Sequence, residues 1–258
     1  MHVIQTKRLG DAMHAFAVVS AKARAGGAPV FSVHESHAPL FVGSNLTLVL
    51  STRGTAWAAL KKGQFRGPVH GEHVRLTMAR VSGLASDADL AARLSLQLER
   101  PVKKAYAVVC PDAAVRYKEW DGQRWASVAE HMVSKGFVVA VCRAPGRPVM
   151  AMPRGASSVD ATLPQLAQLL LGASFLVGVD SGHIHLADAL GTPVVGLYGA
   201  TSTMTYGPFC NVERCVDRHR DAYPARARYN SAVHLRRGAM SSISIDDVIA
   251  MTSACAQS

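Results

Sequence analysis

Four short apolar runs dominate the second part of the chain: AVVC at 107–110, FVVAVC at 137–142, FLVGV at 175–179 and PVVGLYG at 193–199. Each is too short for a buried helix and rich in valine, so each reads as a strand covered on both faces. Between them lie stretches of helical period, Gly122–Ser134, Leu163–Leu171 and His183–Leu190. That alternation is the pattern of a parallel sheet with helices on both sides. A similar series precedes it, with strands near His2–Gln5, Val30–Val33 and Leu46–Leu50 and a helix from about Asp11 to Arg24 that Gly26-Gly27 ends. Helical patterning returns at His73–Val81 and Asp87–Leu98, while Gly63, Gly67-Pro68 and Gly71 break the stretch before it. The expectation is an α/β chain of two Rossmann-like halves facing one cleft, 1–102 and 103–258, joined near residues 99–104.

No apolar run approaches the ~20 residues that span a bilayer, and Lys7 and Arg8 interrupt the start before a signal-type apolar core forms. Five scattered cysteines suit reduced thiols, which points to a cytoplasmic protein. Only Cys210 and Cys215 lie close together, and one pair makes a poor zinc site. The net charge of +10 is uneven: residues 1–104 hold 14 Lys and Arg against 6 Asp and Glu, whereas residues 105–258 hold 14 against 12. The first part would sit comfortably against a polyanion, although basic residues also serve simply to solvate helix faces.

The segment VDSGHIH at 179–185 places a glycine turn between a strand and a helix. In open parallel sheets ligands bind beyond the carboxyl ends of strands, where a helix start offers free N–H groups and positive potential. Gly182 lets the backbone approach a phosphate, Ser181 can cap the helix or donate to an oxygen, and Asp180 and His185 border the same space. The cluster reads as a nucleoside-diphosphate cradle, with a capped helix and core histidines as the plainer alternative. A metal set of His183, His185 and Asp188 is disfavoured, because residues two apart on a helix do not share a face. No G-x-G-x-x-G follows a strand, and neither G-x-x-x-x-G-K-[ST] nor G-x-S-x-G occurs. Dinucleotide oxidoreductases, P-loop ATPases and α/β-hydrolases therefore lack their usual loop.

The stretch VDSGHIHLADALGTPVVGLYGAT resembles the D-[ST]-G-x-x-H-x-x-A-x-x-x-x-P-x-x-x-L-[FY]-G pattern of heptosyltransferase-like enzymes, glycosyltransferase family 9. CPDAAVRYKEWDGQRWASVAEHMVSKG resembles the family's R-x-K-x-W loop and following helix, MSSISIDDVIAM its closing segment, and RLGDAMHA its L-G-D turn. The resemblance implies a GT-B fold and an inverting, metal-independent transfer from a nucleotide-sugar, a UDP- or ADP-sugar serving as co-substrate with no further cofactor. It also implies roles. Asp11 would be the general base, Lys118 helped by Arg116 would neutralise the leaving diphosphate, and Asp180, Ser181, Gly182 and His185 would line the donor site. Asp87-Ala88-Asp89 spells the metal signature of a different glycosyltransferase fold, but here it reads as the start of the helix expected over 87–98.

Fewer residues precede the second series than the family's acceptor domain implies. The acceptor expected from the sequence is a polyanion, with hydroxymethylated bases in DNA favoured over the lipopolysaccharide inner core. Arg8, Lys61, Lys62, Arg66, Arg75, Arg80, Lys103 and Lys104 would then contact phosphates, and the target base would leave the stack to reach Asp11. A non-catalytic GT-B relic that grips a polyanion is the competing reading.

Overall fold

The computed structural model describes residues 2–3, 8–51, 72–85, 87–94, 105–143, 146–147, 150–219 and 239–256. Two parallel sheets are present. The first pairs β1 (His2–Val3), β2 (Val30–His34) and β3 (Thr47–Ser51) in that order. The second contains β4 (Tyr106–Cys110), β5 (Val138–Cys142), β6 (Ala156–Val159), β7 (Phe175–Val179), β8 (Val194–Tyr198) and β9 (Val216–Asp217). Its spatial order is β6-β5-β4-β7-β8-β9, all parallel, the doubly wound order with its switch point between β4 and β7. Ala107–Cys110 and Phe175–Val179 are buried, as valine-rich strands covered on both faces must be.

One face of the second sheet is covered by α3 (Gly122–Ser134) and α6 (Ile245–Ala256), through Trp125, Val128, Met132 and Val248. Asp121 caps α3 by accepting from the N–H groups of Gln123 and Arg124 at 2.9 and 3.2 Å. Arg124 Nη1 and Trp120 Nε1 donate to the Ile243 carbonyl at 2.6 and 3.2 Å, which ties the closing segment to this face. The other face carries α4 (Leu163–Gly172) and α5 (Gly182–Leu190). Gly191 ends α5 at φ 76°, a left-handed position that glycine occupies without strain.

The first part packs onto that second face. Helix α1 (Leu9–Arg24) lies along α5, and α2 (Val74–Val81) lies against α1. Phe16, Phe31 and Phe41 form an aromatic group that joins Leu166, Leu170, Leu186 and Leu190 in one apolar core. The boundary expected near residues 99–104 falls outside the described residues, apart from the start of the second series at Ala105.

Two expectations change. Residues 87–94 are not helical. Asp89 Oδ1 accepts from Ala91 N at 2.9 Å in a local turn, and Leu94 N donates to the Ala189 carbonyl at the end of α5. Burial of Leu90, Ala92 and Leu94 against the core overrides the segment's helical period. The Asp87-Ala88-Asp89 triplet therefore lies in a turn and is not a helix start. Strand β6, between the strand expected at 137–142 and the helix expected at 163–171 where no strand was expected, adds to the edge of the sheet beside β5.

Candidate active site

The carboxyl ends of β4, β7 and β8 open toward one place. The loop after β4 makes a single 3₁₀ turn at Arg116–Lys118, the loop after β7 carries Asp180 and Ser181 into α5, and the loop after β8 carries Thr201. Lys118 Nζ donates to Asp180 Oδ2 at 2.6 Å, and Thr201 Oγ1 donates to the same oxygen at 2.5 Å. Burial by itself would raise the Asp180 carboxyl. The Lys118 ammonium, the nearby His185 and the two hydrogen bonds outweigh it and hold the group below the ordinary aspartate range. Asp180 thus positions Lys118, whose side chain remains about one-fifth exposed, its ammonium 5.8 Å from the Tyr206 ring centre. Arg116, on the same turn, is exposed.

The lysine turn is itself clamped. Arg143 Nε donates to both Asp112 oxygens at 3.1 and 2.9 Å, and Arg147 Nη2 reaches Glu119 Oε1 at 2.6 Å and the Ala113 carbonyl at 2.9 Å. These contacts and Thr201 were not apparent from sequence, although the G-A-T that follows β8 at 199–201 was a usable signal.

A stability prediction follows from the Asp180 shift. A carboxyl whose folded value is depressed stabilises the fold above its unfolded value, about 3.9, and that contribution is lost as pH falls through the folded value. Asp180→Asn removes the carboxylate that Lys118 and Thr201 both meet. It is expected to destabilise the protein by about 2 kcal/mol at neutral pH, with the difference shrinking below about pH 4. Thermal unfolding of both proteins at neutral and acidic pH checks this; an equal gap at both would show that packing, not charge, is responsible.

At Ser181 the chain turns into α5. The Ser181 side chain makes no cap bond to the helix and instead pairs with His183 Nδ1 at 3.2 Å. Helix α1 starts at the same place. A Cβ built on Gly10 would lie 3.4 Å from His185 Cδ2, and one on Gly182 would lie 2.5 Å from Leu9 Cβ and 2.9 Å from Gly10 N. Two helix N-termini therefore meet at a glycine pair, with the Lys118 turn on the adjoining β4 loop, and together they make a strongly positive corner. Asp11 is the third residue of α1, half-buried beside that contact. It is not the helix cap, since Arg8 occupies that position with no side-chain cap bond.

His183 and His185 point to different neighbours. His183 sits near Asp112, while the His185 ring lies 4.2 Å from that of His14, and His185 Nε2 is 4.0 Å from Asp180 Oδ1. Burial keeps both neutral, His185 as low as about 3. Asp188 accepts from the backbone of Phe209 and Cys210 and from Asn211 Nδ2 at 2.9, 3.0 and 2.8 Å, so its oxygens serve that loop and not an ion shared with the histidines. Among the described residues no group of three or more His, Cys, Asp and Glu is arranged to hold a metal ion.

Of the expected acceptor contacts, Arg8 is exposed at the start of α1, and Lys61, Lys62, Arg66, Lys103 and Lys104 lie outside the described residues. Arg75 is a correction. It is fully buried between α1 and α2 and cannot reach a phosphate backbone from there.

A family model, glycosyltransferase family 9 (heptosyltransferase), matches residues 76–235, more than half of the chain. The chain belongs to this family. It is 29% identical over 121 residues to lipopolysaccharide heptosyltransferase 3 of Escherichia coli, a match covering 43% of this chain and 36% of that protein. The chain thus spans about a third of the length of that relative. Among solved structures, the E. coli ADP-heptose lipopolysaccharide heptosyltransferase II superposes with a TM-score of 0.72 at 14% identity, over 98% of this chain and 97% of that one. A family 9 glycosyltransferase from Veillonella parvula DSM 2008 superposes with a TM-score of 0.70 at 15% identity, over 100% and 97%. At such identities the likeness establishes the fold, the GT-B arrangement of α/β units with parallel sheets. No helix among the described residues is long and apolar enough to cross a membrane.

Proposed function

We propose that the chain is an inverting glycosyltransferase that moves a sugar from a nucleotide-sugar to a saccharide hydroxyl, without a metal. The observation that carries it is the convergence of Lys118, the two helix N-termini at Gly10 and Gly182, and Asp11 at the carboxyl ends of β4 and β7. In this reading the acceptor oxygen attacks the anomeric carbon and its proton passes to Asp11. The bond from the anomeric carbon to the phosphate oxygen breaks, and the departing diphosphate is held by Lys118, Arg116, Ser181 and the first N–H groups of α5. His185, with neither ring nitrogen hydrogen-bonded among the described residues, borders the same space.

ADP-heptose, the donor in the name of the solved E. coli heptosyltransferase II, is the first donor to test. The acceptor proposed is a lipopolysaccharide-type saccharide, because the relative at 29% identity is a lipopolysaccharide heptosyltransferase. The DNA acceptor rested on the basic charge and short length of the first part and on the lack of an evident membrane-binding helix, and of the residues expected to touch phosphates Arg75 is withdrawn into the core.

The test is a nucleotide-sugar panel read by nucleoside-diphosphate release, run beside a truncated lipopolysaccharide core and duplex DNA containing 5-hydroxymethylcytosine. Turnover on the saccharide with ADP-heptose is the expected result. Turnover confined to the DNA would replace the acceptor, and silence on both would leave a polyanion-binding relic.

A further inference from the structure

Beneath the meeting point of α1 and α5 lies a cluster of the buried His14, Arg75 and His185 with the half-buried His73. Arg75 has no exposed surface. Its Nε donates to His14 Nδ1 at 3.2 Å, its Nη1 donates to the Leu90 carbonyl at 3.0 Å, and its Nη2 has no partner among the described residues. Its guanidinium lies 5.1 Å from the Phe209 ring centre, and it makes no ion pair among the described residues. Asp188 is the carboxylate that acts on it through space, but the oxygens of Asp188 are taken by the 209–211 loop. A guanidinium buried in this way is costly unless it is paired and fully hydrogen-bonded, which this one is not among the described residues.

The contacts lead from Arg75 to the donor corner. By accepting from Arg75, His14 Nδ1 is left without a proton, so the neutral ring carries its hydrogen on Nε2. His14 sits one turn beyond Gly10, and its ring lies 4.2 Å from that of His185 and 5.7 Å from that of His73. His185 in turn stands 4.0 Å from Asp180, the partner of Lys118. We infer that Arg75 is a positioning residue: a fixed internal cation that orients His14, and through its ring contact His185, and adds positive potential beneath the site that receives the donor diphosphate. This rests on the glycosyltransferase reading above.

The groups that face His185 are Asp180 at the end of β7, Lys118 after β4, His14 on α1, and His73 and Arg75 at the start of α2. Burial is the main cause that holds His14 well below its ordinary value, His73 at about 4 and His185 at about 3; after it His185 and then Arg75 act on His14, and Arg75 also lowers His73 and His185 against the Gly207 carbonyl and Asp180, which raise them. The cluster thus contributes one positive charge, that of Arg75, and none of the imidazoles titrates near neutrality.

The experiment measures binding of ADP-glucose and UDP-glucose by calorimetry between about pH 5 and pH 8, the range in which an unperturbed imidazole titrates, for the unmodified protein, Arg75→Met and Arg75→Lys. The diphosphate of these probes is a diester and takes up no proton in that range. The unmodified protein is expected to bind with an affinity independent of pH. Arg75→Met should fold and bind about tenfold more weakly across this range, because burial, the main cause of the low imidazole values, is unchanged and no histidine takes up a proton in place of the missing charge. Arg75→Lys should keep most of the affinity. Equal binding by Arg75→Met at every pH overturns the inference, as does a pH-independent loss shared by both variants, which is the mark of packing alone. Failure of the unmodified protein to bind either probe counts first against the nucleotide-sugar reading and removes the inference with it, whereas binding that ignores Arg75 sinks the inference alone.

Discussion

Asp11→Asn is expected to lower sugar transfer by about a thousandfold while leaving nucleotide-sugar affinity within about twofold. Asp11 lies in the first turn of α1, and Gly10 before it faces Gly182 and His185. A carboxylate there borders the corner where the two helix starts meet, the place proposed for the donor. Asparagine keeps the shape and removes the ability to take a proton, so the loss should appear in kcat and not in donor binding. Steady-state transfer rates together with calorimetric donor titration separate the two. A variant that binds and transfers at the original rate would remove Asp11 from the chemistry and leave Lys118 and the helix ends to act without a general base.

Gly182→Ala carries the second large effect, this time through structure. The added Cβ would sit 2.5 Å from Leu9 Cβ and 2.9 Å from the Gly10 amide nitrogen, closer than real Cβ contacts come. One neighbour is backbone, so the clash cannot be relieved by a rotamer change and α1 must move away from α5. Overpacking of this kind costs about 1–3 kcal/mol, or several degrees in Tm for a chain of this size. The same shift pulls Asp11 and the start of α1 away from Lys118. Transfer is therefore expected to fall much further than the residual stability explains, by about a hundredfold at a temperature where the variant is fully folded. Wild-type stability and turnover in Gly182→Ala would mean that the two helix starts are not held in contact in solution.

Strands β4, β5, β7 and β8 were legible almost to the residue, because a fully buried parallel strand must be a short continuous apolar run and few other structures tolerate one. Helix α3 was equally plain, with Asp121 as cap and Gly136 just beyond its end. Strand β6 was not, since ASSV at the edge of the sheet is half-exposed and needs no apolar run. Residues 87–94 misled in the other direction: their leucines and alanines repeat at helical spacing, yet they are buried as an irregular strap across the end of α5. Periodicity reports which residues prefer burial, and it does not report which neighbour buries them.

The site divides along the same line. Local sequence determined the glycine turn at Asp180-Ser181-Gly182, because the backbone geometry of so short a motif follows from its own residues, whereas Lys118, Arg116 and Asp11 were singled out by family resemblance. Tertiary structure alone decided that Asp180 serves as the anchor of Lys118, that Gly10 and Gly182 touch, and that Arg75 lies beneath them and not on a basic surface. Those contacts join residues more than sixty positions apart in most cases. A lysine or arginine looks the same in sequence whether it faces solvent or a buried imidazole, so its function is fixed by the packing of α1, α2 and α5, which no local pattern encodes.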